Sequence, residues 1–138
     1  MNLSKNVKIT KVLAAAATGV TALNSASVDM ASFDGVVFFG RLAVANAGNF
    51  GNLAQSSDDV TFNDLAGTKV SPGDNEDSFA IDVYKPTKRF VRCEIDRSGI
   101  TTITGDVYAI QYRASKAPTS HGATVDAETH ISPAEGTA

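Results

Sequence analysis

The amino-acid sequence predicts an all-β protein: a single β-sandwich, jelly-roll or immunoglobulin-like, with extended arms at both ends. Three observations carry this. Apolar and polar residues alternate with period two through residues 79–84 and again through 91–96, the pattern of strands with one buried and one solvated face. Glycine, asparagine, aspartate and proline recur at short intervals, which suits roughly seven to nine short strands. Outside the alanine-rich stretch 12–17, no segment carries an apolar stripe at helical period.

Taken in order, residues 1–11 read as a basic arm or edge strand carrying Lys5, Lys8 and Lys11, with Val7 and Ile9 in strand alternation. Together with the run Val12-Leu13-Ala14-Ala15-Ala16-Ala17 this imitates a signal peptide, with small residues at 22–26 as a cleavage zone. The apolar run is short, mostly alanine, and broken at Thr18-Gly19, so a strand competes with that reading. Val36-Val37-Phe38-Phe39 is the most apolar run and predicts a central strand buried on both faces, ended by Gly40 and followed by a separate strand at 41–45. Residues 51–77 are polar and loop-rich, with short strands at 53–57 and 60–65.

Phe79, Ile81 and Val83 form the next strand, which Lys85-Pro86 ends because proline has no N–H for a ladder. Val91, Cys93 and Ile95 share the buried face of the strand after it. Residues 97–99 turn into a strand at 100–103, and Gly105-Asp106 breaks before a last strand at 107–112. The domain reading is therefore an N-terminal arm and first strand at 1–26, a sandwich core at 27–114 and a polar tail at 115–138. That tail has only Val125 and Ile131 as large aliphatics and cannot fold alone.

Composition narrows the function classes. The chain has 138 residues, enough for one domain with its own core. A formal net charge of −3 argues against a nucleic-acid partner, and no run approaches the ~18 apolar residues of a membrane span. The lone cysteine, Cys93, excludes an intrachain disulfide and reads as a packed thiol. Its isolation suits a reducing compartment.

No cofactor or metal is expected. His121 and His130 lie far apart in the tail with no cysteine nearby, whereas zinc sites favour close spacings on rigid elements. The acidic runs Asp58-Asp59 and Asp74-Asn75-Glu76-Asp77 invite calcium, but their spacing is not that of an EF-hand loop and a solvated turn explains them better. Asp29 and Asp34 could be imagined as a glycosidase carboxylate pair; capping of backbone N–H groups is the commoner role of aspartates at turns. There is no GxGxxG, P-loop or HExxH, so no catalytic residues are assigned and an enzyme is not expected. The one concentrated charge feature is basic: Lys85, Lys88, Arg89, Arg92 and Arg97. It reads either as a solvated turn guarding a sheet edge or as a contact for an acidic partner surface.

Several segments, in order, carry a family resemblance. They are Ser27-Val28-Asp29-Met30 with Phe33-Asp34-Gly35-Val36-Val37-Phe38; Gln55-Ser56-Ser57-Asp58-Asp59; Asp64-Leu65-Ala66-Gly67-Thr68; Asp82-Val83-Tyr84-Lys85-Pro86-Thr87-Lys88-Arg89-Phe90-Val91-Arg92; and Ala109-Ile110-Gln111-Tyr112-Arg113-Ala114-Ser115-Lys116-Ala117-Pro118. This set resembles small proteins encoded beside the major capsid gene in tailed bacteriophages and prophages. The resemblance implies a head decoration, or cement, protein: assembled in the host cytoplasm, seated on the outer capsid surface and bridging neighbouring major capsid protein subunits. Self-association as a dimer or trimer about a symmetry axis is expected. The candidate capsid contacts are Lys5, Lys8, Lys11, Lys85, Lys88 and Arg89. The rival readings are another virion part (a head–tail connector or tail protein) and a secreted β-sandwich binding module.

Overall fold

The computed structural model describes residues 2–44, 48–72, 77–97, 101–132 and 134–136. A single helical turn, α1 (Leu3–Asn6), precedes the strands β1 (Lys8–Leu13), β2 (Ala16–Gly19), β3 (Leu23–Asn24), β4 (Val28–Asp29) and β5 (Phe33–Val44). Then come β6 (Phe50–Ser56), β7 (Asn63–Asp64), β8 (Ser78–Tyr84), β9 (Phe90–Asp96), β10 (Thr102–Thr104) and β11 (Val107–Ala114). The fold is all-β; β8 and β9 sit where the period-two alternation places them, and β11 covers the last strand expected after the Gly105-Asp106 break.

The strands form two sheets. In the first, β5 is central: it pairs antiparallel with β11 on one side and β8 on the other, and its last residues pair with β10. The order β1-β11-β5-β10-β2, with β8 off this path, makes the sheet curl into a half-barrel. The second sheet is open, with β9 between β6 and the short strands β3 and β4. Side chains from both sheets meet in one core. Val36, Phe38, Leu42, Phe79, Ile81 and Val107 come from the first sheet, and Val28, Leu53, Val91, Cys93 and Ile95 from the second. The architecture is broadly sandwich-like, a curled half-barrel sheet packed against a second, open sheet.

Three expectations are corrected. The chain does not break at Gly40, because β5 runs unbroken for 12 residues. Its glycines mark close approach: a Cβ on Gly35 would lie 2.2 Å from Tyr112 Cζ, and one on Gly40 would lie 2.8 Å from Val107 Cγ2. Nor is the strand buried on both faces, since Val36 and Phe38 are enclosed while Phe39 is 39% exposed. Residues 60–65 supply only the two-residue β7, and Val60 is exposed. The expected strand at 100–103 overlaps β10, while Ser98, Gly99 and Ile100 lie outside the described residues.

Segment 1–26 contributes β1, β2 and β3 to the two sheets, and Val12 enters the core. The alanine-rich stretch is therefore divided between β1 and β2, with Ala14 and Ala15 connecting them, the helical period there being too short to outweigh pairing with β11 and β10.

Candidate functional site

Four of the resembling segments, remote in sequence, meet at the connection between β8 and β9. Tyr84 ends β8, and Lys85 adopts a left-handed conformation (φ 52°) that turns the chain. The Lys85 N–H donates to the Asp34 carbonyl at 2.6 Å, tying the turn to the start of β5. On the far side, Gln55 Oε1 accepts from the Lys88 N–H at 3.2 Å, and Gln55 Nε2 donates to Thr87 Oγ1 at 2.9 Å. Arg89 then closes on Asp29 with two parallel hydrogen bonds, Nε to Oδ1 at 2.9 Å and Nη2 to Oδ2 at 2.7 Å. This fork fits a carboxylate in a way a lysine cannot. Arg113, after the last aromatic of β11, lies 3.4 Å from Asp34.

Between these groups is an open cleft of about 520 Å³ lined by Met30, Phe33, Asp34, Lys85, Pro86 and Arg89, among others. Apolar and charged side chains share its lining. Hydrogen bonds from Arg89 hold the Asp29 carboxyl down at about 2, against the opposing effect of burial; the Ala31 N–H and Lys8 contribute further. Asp29 is therefore a fixed negative charge in an ion pair, and so is unsuited to act as the acid of a carboxylate pair.

The structure divides the predicted basic cluster. Arg97 is 5% exposed, and its guanidinium donates to the carbonyls of Thr21, Ala17 and Thr102. It cannot meet a partner surface. Arg92 lies on the open sheet with Glu94 at 2.6 Å and stacks over the Phe62 ring at 4.1 Å. Lys85 and Lys88 are in no ion pair among the described residues, although Lys85 Nζ sits 5.4 Å from the Tyr84 ring. Of the N-terminal lysines, Lys8 stands close enough to Asp29 to influence it, so it shares a neighbourhood with Arg89. Lys11 pairs loosely with Asp106 at 3.9 Å, and Lys5 belongs to α1.

Sequence reasoning missed Asp34, Gln55 and Arg113 as organisers of this rim. The only signal was their place in the ordered segments, because polar residues at turns carry no long-range address of their own.

Elsewhere the chemistry is structural. Asp58 accepts from the Ser56 hydroxyl and from the N–H groups of Val60 and Thr61, which hold its carboxyl well below the usual range. That is a turn cap. Asp74, Asn75 and Glu76 lie outside the described residues. His121 and His130 do not meet: His121 contacts β1, and His130 contacts Glu128. Among the described residues no three histidine, cysteine or acidic side chains gather as a metal site. No helix there is long and apolar enough to cross a membrane. Cys93 is fully enclosed, and burial, with a lesser push from Glu94, raises its thiol to about 12.

No protein-family model matches the chain, and no curated protein does. Among solved structures, the fold is similar to the crystal structure of the PBSX exported protein XepA, with a TM-score of 0.59 and 15% identity over 96% of this chain. The chain spans 45% of that protein's length.

Proposed function

We propose that the chain is a structural virion protein that decorates a tailed-phage capsid, sits on its outer surface and bridges neighbouring major capsid protein subunits. In this reading it is no enzyme, and copies associate as a dimer or trimer. The observation that carries the proposal is the convergence of the resembling segments. Residues 27–34, 55, 84–92 and 112–113 are far apart in sequence, yet they build one rim through Asp29–Arg89, Asp34–Arg113, Asp34–Lys85 and Gln55–Lys88 contacts. Segments that share no catalytic chemistry but share one surface fit a binding role. Lys85 and Lys88 offer charge to an acidic seam between subunits, and repetition of such weak contacts by symmetry supplies avidity.

The test is cosedimentation with undecorated phage shells, followed by heat challenge. Full-length protein should pellet with shells and make them more heat-resistant. Neutralising Lys85 and Lys88 should weaken attachment more at low salt than at high salt. Failure to pellet, or pelleting without protection, overturns the proposal. A copy number of about a dozen per particle, in place of hundreds, would favour a head–tail connector.

A second reading, an exported binding module, is favoured by the word "exported" in the name of the protein whose fold this one shares. It competes only if the mature chain retains β1–β3, because cleavage near Ala26 would strip all three from the sheets. Intact mass of the protein recovered from medium and from particles separates the two.

A further inference from the structure

β1 is the end strand of the curled sheet: β11 pairs along one side and, among the described residues, no strand lies along the other. An uncovered edge presents N–H and C=O groups to any extended chain that arrives. Here the edge is covered by residues 119–124. Thr119 donates through its hydroxyl to the Val7 carbonyl, and through its N–H to the Lys5 carbonyl at 3.0 Å. The Ile9 N–H donates to His121 Nδ1 at 3.0 Å, and the Lys11 N–H to Thr124 Oγ1 at 3.2 Å. Residues 7, 9 and 11 are the alternate positions whose backbone groups point away from β11.

The cover is unlike a strand. Side chains supply three of these bonds, and the segment belongs to no strand. Beyond it, Ser4 and Thr129 share one hydroxyl contact, and Ile131 is 83% exposed. Little apolar surface holds the tail down, so it is easier to lift than the long core strands β5, β9 and β11.

We propose that residues 119–124 are a removable cover, and that the vacated β1 edge takes up the same segment from a second copy, joining copies by exchange of tails. The structure itself shows that this segment fits this edge, because the threonine and histidine acceptors match alternate N–H groups. A second copy's tail makes identical bonds, so exchange conserves the four bonds of the cover, and only the short connection at residues 116–118, beyond the Ser115 N–H bonded to the Ser32 carbonyl, has to swing outward. The inference rests on the self-association part of the proposed function and not on capsid attachment.

The experiment uses full-length chains without any shells. One chain carries Lys11→Cys and another Thr124→Cys; native Cys93 is fully buried and does not compete. Under oxidising conditions, exchange predicts disulfide-linked heterodimers at least about tenfold above a control that mixes the Lys11→Cys chain with a Val60→Cys chain, Val60 being exposed on an unrelated loop. In parallel, a labelled peptide of residues 115–132 is titrated against wild-type chain and against a chain with Thr119→Ala, His121→Ala and Thr124→Ala. The variant, its own cover weakened, should bind the peptide about tenfold more tightly than wild type. Heterodimers no more abundant than the control overturn exchange between copies, even where the peptide binds. No peptide binding to the variant overturns the removable cover. Neither result bears on cosedimentation with shells, so the two proposals fail separately.

Discussion

The two ends of β9 carry the same residue type in opposite circumstances. Arg89, just before the strand, lies in water with Asp29, their side chains 58% and 44% exposed. Arg97, just after it, is 5% exposed and held by three backbone carbonyls from β2, β10 and the loop between β2 and β3. A charge taken out of water must recover its hydration through hydrogen bonds, and removing it strands every acceptor it satisfied. A charge left in water gains little from its pair, because solvent and salt screen it. One end of β9 is thus fastened to the fold, and the other is free to serve a surface.

The strongest way to break this contrast is Arg97→Ala. It leaves three carbonyls without their donor and should cost about 3–5 kcal/mol in urea unfolding; a cost below about 1 kcal/mol would mean that water replaces the guanidinium. Gly19→Ala probes the same pocket from the other side. Its new Cβ would stand 3.0 Å from Arg97 Nη2, and a guanidinium fixed by three carbonyls cannot easily retreat, so about 1–3 kcal/mol should be lost. Thermal melts of both variants would sharpen the ranking.

The Arg89 end should respond to pH and salt. The Asp29 carboxyl is held at about 2, below its ordinary 3.8, chiefly by the Arg89 hydrogen bonds. Its folded-state value is depressed, so its contribution is complete above about pH 4 and is lost as pH falls towards 2. With both side chains well exposed, that contribution should stay below about 1 kcal/mol for Asp29→Asn and shrink in high salt. A carboxyl NMR titration checks the cause: in Arg89→Gln the Asp29 midpoint should rise towards the usual carboxylate range. Smallest of all, neutralising Lys85 and Lys88 should change stability by less than about 0.5 kcal/mol. A larger loss would make the turn structural and remove it as a contact candidate.

Much of this rim was legible in part. The turn at Lys85-Pro86 follows from proline chemistry, and the ordered segments pointed to residues 27–34, 55–59 and 82–92. What they form together was not legible. The basic residues read as one cluster because they are close in sequence, but a strand of seven residues separates Arg89 from Arg97 and carries them to opposite ends of β9. The tail shows the same limit. Its polarity forecast that it could not fold alone, while its position along β1 depends on an edge that exists only after β11 has paired with the other side.

Local alternation, turn residues and the absence of a helical stripe were sufficient to determine an all-β chain and the inward phase of β8 and β9, since side-chain direction along a strand is fixed by its pleat. The sequence left open which face of β11 turns inward, Tyr108, Ile110 and Tyr112 or Val107, Ala109 and Gln111, and it is the second set that is buried. Tertiary structure decided it. Gly35 leaves a hollow in which the Tyr112 ring lies, with its hydroxyl donating to Asp82 at 2.8 Å, while the enclosed Gln111 amide donates to the Asp29 carbonyl at 2.7 Å. Each choice depends on a neighbouring strand, and the energy of a face is set by what it packs against.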